Sequence, residues 1–154
     1  MILLIHHGDA VGPAVNASRP LSERGLRDVE RLAESAAARG AKPEVIWHSG
    51  KVRARQTAEA VWRICSPFAH FSAARGLQPD DPPAWMRDQL AGETRAIAIV
   101  GHMPHLARLL RLLVAGDADA PGMPFPLHGC VALDADGDRW KELWREEIAE
   151  AGEP

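Results

Sequence analysis

The sequence predicts an α/β fold: a three-layer sandwich with helices on both sides of a mostly parallel, mixed central sheet. Three observations carry this. Short aliphatic runs at Ile2-Leu3-Leu4-Ile5, Val45-Ile46-Trp47 and Ile97-Ala98-Ile99-Val100 each give way abruptly to polar or glycine residues, the mark of buried strands that deliver side chains at their C-terminal ends. Segments with helical periodicity follow these runs. The resulting order, β-α-β-α-(β)-α-β-α-β-β, is that of helices layered on both faces of one sheet.

The first run leads into His6-His7-Gly8-Asp9. Ligands bind at the C-terminal ends of strands in open α/β sheets, so two histidines and an aspartate arrive where chemistry is usually done. Gly8 lets the backbone turn and a ligand approach closely. Asp9 is placed to orient His7 or His102 by a hydrogen bond. Residues 10–20, with Gly12, Pro13, Asn16, Ser18 and Pro20, read as a loop over the site. Ser22 then N-caps a helix whose apolar positions are Leu26, Val29, Leu32, Ala33, Ala36 and Ala37, and Gly40 ends it.

The second strand ends at His48-Ser49, and a helix runs from about Val52 to Cys65 with Ala58, Val61 and Trp62 on its apolar side. Pro67 to Phe71 reads as an edge strand, residues 72–83 as irregular chain, and Pro83 to Leu90 as a short helix. The fourth strand covers about Arg95 to Val100. The following helix, Pro104 to Val114, turns Leu106, Leu109, Leu110 and Leu113 to the core and leaves His105 on its partly exposed side. After a Gly/Pro-rich loop at 115–128 the chain closes with a hairpin: Cys130 to Leu133, a turn over residues 134–138, and Trp140 to Trp144. Residues 146–154 read as a frayed acidic tail. His48, His70 and His128 have no motif around them, although a carbonyl or amide near His128 can line the pocket.

The chain of 154 residues suits one domain over 1–154. A hydrophobic share of 46% with 25% charged residues is ordinary for a soluble globular protein. A net charge of −3 argues against a broad basic surface for nucleic acid. No stretch approaches the roughly 18–20 apolar residues of a membrane span, and the N-terminal run lacks the flanks of a signal peptide. Cys65 and Cys130 form no metal or redox motif and read as reduced, buried thiols of a cytoplasmic protein.

Four segments in order carry a resemblance: His6-His7-Gly8; Arg19-Pro20-Leu21-Ser22-Glu23-Arg24-Gly25; Ser49-Gly50-Lys51-Val52-Arg53-Ala54-Arg55-Gln56-Thr57; and Gly101-His102-Met103-Pro104. Together they resemble the histidine phosphatase superfamily, whose fold is phosphoglycerate mutase-like, and within it the small SixA-like phosphohistidine phosphatases. That family opens with Arg-His-Gly after its first strand, continues with Ser-x-x-x-Arg-x-x-Gln-Thr and closes with Gly/Ser-His-x-Pro. The resemblance makes His7 the nucleophile that carries the phosphoryl group, and Arg53 and His102 its catalytic and phosphate-binding partners. It implies no cofactor and no metal. It also implies a phosphorylated protein, such as a histidine phosphorelay or phosphocarrier protein, or a small phosphate ester as substrate.

The chemistry suits these residue types. A neutral imidazole can attack phosphorus, and cations must surround the equatorial oxygens. The planar fork of Arg53 can hold two oxygens at once. Ser49 stands at a strand-to-helix turn where its hydroxyl can touch the ligand, and Pro104 fits the first turn of a helix whose exposed N–H groups favour an anion. For a general acid the candidates are Asp80 and Asp81, with Asp81 equally placed to cap the short helix. A missing acid fits an imidazole leaving group, which needs less proton assistance than an alkoxide.

His6 departs from the family arginine. As a phosphate ligand it supplies one N–H and a charge that depends on pH, so His6→Arg is expected to raise efficiency unless Arg19 or Lys51 already fills the gap. The alternative function is a phosphate- or phosphoprotein-binding module whose turnover is reduced or lost because of His6. A third reading, a metal-dependent hydrolase on His6, His7, Asp9, His102 and His105, lacks the spacing of a known metal motif.

Overall fold

The protein is described here by a computed structural model covering residues 1–148. Its elements are β1 (Ile2–His6), α1 (Glu23–Ala38), β2 (Val45–His48), α2 (Val52–Cys65), β3 (His70–Ala73), α3 (Pro83–Ala91), β4 (Ile97–Gly101), α4 (His105–Ala115), β5 (Cys130–Asp136) and β6 (Arg139–Glu146). The strands form one six-stranded sheet in the order β3-β2-β4-β1-β5-β6. Strands β3, β2, β4 and β1 run parallel, and β5 and β6 complete the sheet antiparallel.

The pleat sorts the aliphatic runs into two cores. Ile2, Leu4, Ile97, Ile99, Val131 and Leu133 join Met86, Leu90, Leu106, Leu109 and Leu113 of α3 and α4 on one face. Leu3, Ile5, Ala98, Val100, Cys130 and Ala132 join Leu32, Ala36, Ala58 and Val61 of α1 and α2 on the other. Two apolar faces explain why the central strands read as continuous hydrophobic runs. Among the described residues no helix is long and apolar enough to cross a membrane. Cys65 and Cys130 are buried free thiols, and burial pushes Cys130 up to about 12.

Several local expectations change. Ser22 caps α1, its Oγ accepting the Gly25 N–H at 3.0 Å, but Leu26 is 44% exposed. The buried face runs through Gly25, Val29, Leu32, Ala33 and Ala36, because at Gly25 the helix comes down onto the Asp9 carbonyl; a Cβ there would lie 2.0 Å from that oxygen. Strand β3 starts at His70, opposite Val45. Pro67 and Phe68 belong to the turn before it, closed by Ala69 N–H to Ser66 O at 3.0 Å. Pro104 is the N-cap of α4 and not part of its first turn. His105 is 1% exposed, since the apolar stripe of this helix extends back to its first residue.

The terminal hairpin is longer than its polar residues suggest. Asp134, Ala135 and Asp136 pair with Lys141, Trp140 and Arg139, because main-chain pairing at an edge tolerates polar side chains, and only Gly137, at φ +65°, and Asp138 remain for the turn. Glu146 is not frayed: it pairs with Cys130 and its carboxylate accepts from Ser35 Oγ at 2.8 Å and Arg39 Nε at 2.7 Å. The rest of the expected tail, residues 149–154, lies outside the described residues.

Candidate active site

The sheet register assembles the site. His6 lies opposite Gly101, and Val100 lies opposite both Ile5 and His48. The C-terminal ends of β1, β4 and β2 therefore meet, and a His7 N–H to Gly101 O bond of 3.1 Å carries the pairing one residue further. His6 and His7 have ring centroids 4.4 Å apart, and His7 and His102 5.0 Å apart. Ser49 Oγ stands 2.6 Å from His102 Nε2. Arg53, on the first turn of α2, lies close enough for its charge to depress the pKa of His6, His7 and His102 together. The loop of residues 10–20 is closed at its base by the Ala10–Leu21 bridge. It presents Arg19, at φ +48°, whose charge acts on both His7 and Arg53.

A further histidine enters that motif reading left aside. Because β5 runs antiparallel to β1, its N-terminal end meets the C-terminal end of β1. His6 donates its main-chain N–H to Gly129 O at 2.9 Å, and His128, one residue earlier, stacks its ring on His6 at 4.8 Å with 4° between the planes. The signal in the sequence was the position of His128 just before an apolar strand, which matters only once that strand is known to be antiparallel.

Hydrogen bonds fix the proton positions. His7 Nδ1 is 2.7 Å from Gly8 O. A carbonyl only accepts, so Nδ1 carries the proton and Nε2 keeps a free lone pair. His128 Nδ1 likewise donates to His7 O at 2.6 Å. His6 is the reverse: its Nδ1 accepts the His128 main-chain N–H at 2.8 Å, so its proton is on Nε2. Ser49 Oγ accepts the Lys51 N–H at 3.3 Å and shares a hydrogen bond of 2.6 Å with His102 Nε2, as donor or acceptor according to the tautomer of that ring. His102 Nδ1 is buried, with no partner among the described residues.

His6, His7 and His102 are buried and neutral. Burial, helped by the neighbouring histidines and Arg53, lowers His6 to about 2 and His102 to about 3. Burial also lowers His7 to about 4, with Arg53 adding to it against the Gly8 hydrogen bond, which raises it. His6 is therefore not the pH-dependent cation expected from its type. It is 5% exposed, and protonating Nδ1 would break its bond to His128. Arg53 is the permanent cation facing these rings, with Arg19 beside it.

Other expected site residues do different work. The Asp9 carboxylate accepts from Ser22 Oγ at 2.6 Å; its carbonyl accepts the Ser22 N–H at 2.9 Å. It ties the loop to α1 and does not orient His7 or His102 by a hydrogen bond. Gly8 is required by packing, since a Cβ there would lie 2.5 Å from Val29 Cγ1, and its N–H is received by Thr57 Oγ1 at 3.0 Å. Gln56 Oε1 accepts the Leu21 N–H at 2.7 Å, so Gln56-Thr57 holds the site's loops in place. Asp80 is exposed. Asp81 accepts the Gln78 N–H at 2.9 Å, leaving Pro82 to start α3 without a side-chain cap. Gln78 in turn donates to Ser49 O at 2.7 Å.

The ring nitrogens of His6, His7 and His128 lie within 4.8 Å of one another, a donor set of the type that suits transition metals. His6 opposes such use. Its lone pair is taken by the His128 N–H, and parallel stacking keeps the in-plane lone pairs of His6 and His128 from converging on one point. Asp9, His102 and His105, weighed for a metal set in the sequence, are not members of this cluster.

Residues 2–68 match the family model of the histidine phosphatase superfamily, branch 1. A search of curated proteins gives no significant sequence match. Among solved structures, a protein assigned as phosphohistidine phosphatase SixA of Agrobacterium tumefaciens aligns over 96% of this chain and 97% of its own, with 24% identity and a TM-score of 0.78. The protein histidine phosphatase SixA complexed with tungstate aligns over 95% and 96%, at 21% identity and a TM-score of 0.79. A protein assigned as an α-ribazole-5′-phosphate phosphatase from Escherichia coli aligns over 97% and 95%, at 15% identity and 0.73. Through residues 2–68 the chain carries the sequence signature of the histidine phosphatase superfamily, and through nearly its whole length it has the fold of the SixA-like proteins.

Proposed function

We propose that this protein is a metal-independent phosphatase that works through a phosphohistidine at His7. The observation that carries the reading is the bond from His7 Nδ1–H to Gly8 O, which aims the Nε2 lone pair away from the backbone and keeps it unprotonated down to about pH 4. In the first step that lone pair bonds phosphorus while the leaving group departs with its electron pair. Arg53 holds two equatorial oxygens, and the His102 ring stands beside His7, fixed by its bond to Ser49. Water then attacks phosphorus and the N–P electrons return to His7.

Phosphohistidine on a protein is the favoured substrate. The whole-chain likeness to SixA proteins supports it, as does the position of the two candidate acids: Asp80 is exposed and Asp81 is engaged by the Gln78 N–H. A cytoplasmic phosphorelay or phosphocarrier protein fits this chemistry.

The test is phosphoryl trapping under alkaline denaturing conditions, read by mass spectrometry, alongside turnover of a phosphohistidine protein and an aryl phosphate with and without chelator. Phosphate should appear on His7 of the wild type and not in His7→Ala, and chelator should change nothing. Undiminished turnover by His7→Ala would refute covalent catalysis. Phosphate binding without turnover would establish the binding-module alternative.

A further inference from the structure

Building on that phosphatase reading, we propose that His128 is a catalytic residue: its Nε2 gives a proton to the leaving group and afterwards takes one from the attacking water. His128 is held in the left-handed region, at φ +53°, a backbone state that histidine tolerates better than most residues but which still carries strain. Such strain concentrates at functional sites. Three contacts maintain it: the ring stacks on His6, the main-chain N–H goes to His6 Nδ1 at 2.8 Å, and Nδ1–H goes to His7 O at 2.6 Å.

The last bond separates His128 from the other site histidines. A protonated or a neutral His128 can each keep Nδ1–H on the His7 carbonyl, so Nε2 alone gains or loses a proton while the ring stays still. His6 cannot do this, because its Nδ1 is an acceptor. His7 Nε2 is the nucleophile, and His102 Nε2 is held by Ser49. His128 is also only partly buried, whereas His6 and His102 are 5% and 2% exposed. Its ring centroid lies 5.9 Å from that of His7.

The surroundings suit a leaving group. His128 also lines a cavity of about 640 Å³ whose charged walls are Asp9, Arg24, Asp28 and Glu147, and His6 and His7 of the β1 end are the titratable groups against its ring. The proton balance closes. As phosphorus bonds to His7 Nε2, the bond from phosphorus to the leaving atom breaks with its electrons on that atom, which takes the Nε2 proton of His128. Neutral Nε2 then takes a proton from the water that attacks phosphorus. An imidazolium is an acid matched to a leaving imidazole, so this assignment agrees with phosphohistidine as substrate.

The test compares esters of graded leaving-group basicity. In His128→Asn the amide can still donate to His7 O and tolerates the left-handed backbone, so the Nε2 function is removed together with the stack on His6. Its kcat/KM should fall about a hundredfold with phenyl phosphate and less than about threefold with 4-nitrophenyl phosphate, whose phenolate leaves unaided. His128→Gly, which accepts the positive φ freely, should show the same split. Equal losses on both esters, or none, in variants with wild-type thermal unfolding would overturn the assignment while leaving the phosphatase reading intact. A wild type inert toward both esters and toward a phosphohistidine protein would overturn the phosphatase reading and this inference with it.

Discussion

His128 donates its main-chain N–H to Nδ1 of His6 at 2.8 Å, and the two rings lie parallel. Position 6 is thus built for a neutral imidazole. An arginine there has no lone pair for that N–H, and its longer side chain must enter the space of the His128 ring. His6→Arg, which the sequence alone suggested would help, should instead destabilise the protein by about 1–3 kcal/mol and leave efficiency no higher. In a double-mutant cycle with His128→Gly, urea unfolding should show coupling of roughly 0.5–3 kcal/mol. Strict additivity would mean that the two positions do not share one packing arrangement.

The buried histidines make the fold sensitive to acid. An unfolded histidine takes a proton near pH 6.5, whereas folded His7, His102 and His6 stay neutral down to about 4, 3 and 2. Between pH 6.5 and 4 the unfolded state therefore binds more protons, and stability must fall as pH falls. Urea midpoints measured at several pH values in this window should decline steadily, and His6→Asn, which keeps an acceptor for the His128 N–H, should flatten the slope. A midpoint unchanged from pH 7 to 5 would show that these rings already accept protons in the folded protein. The same values remove the pH-dependent charge expected of His6, and neither His6 nor His7 should limit the rate above about pH 5.

Ser49 holds the His102 ring through the 2.6 Å contact at Nε2. Ser49→Ala removes that contact and leaves the ring free to shift beside His7. A loss in kcat/KM of roughly three- to tenfold is expected, equivalent to about 0.5–1.5 kcal/mol. Ser49→Thr, which keeps the hydroxyl, should recover most of it. An Ala variant as active as wild type would show that Ser49 does not orient the ring.

Thr57 joins two halves of the site: its hydroxyl accepts the Gly8 N–H at 3.0 Å and donates to Arg53 O at 2.8 Å. Thr57 is fully buried, so Thr57→Val leaves a buried N–H unpaired, a cost of about 1–3 kcal/mol. Chemical denaturation should register that loss and Thr57→Ser should largely repair it. A Val variant of wild-type stability would mean that Gly8 finds another acceptor.

Much of this was legible in the residues themselves. Aliphatic runs ending in His6-His7, His48-Ser49 and Gly101-His102 announced parallel strands delivering to one edge, because a strand buried on both faces must be apolar until it emerges. Ser22 announced the start of α1, and α2 follows its expected span from Val52 to Cys65. What sequence alone did not decide depends on contacts between distant segments. Asp9 turned to Ser22 and not to a histidine, because α1 packs against the backbone at Gly8 and Gly25. His105 was buried by the packing of α4. The state of His6 was settled by a residue 122 positions away. Strand direction is the physical reason: periodicity shows that β5 is buried but not which way it runs, and only the antiparallel pairing with β1 brings His128 onto His6.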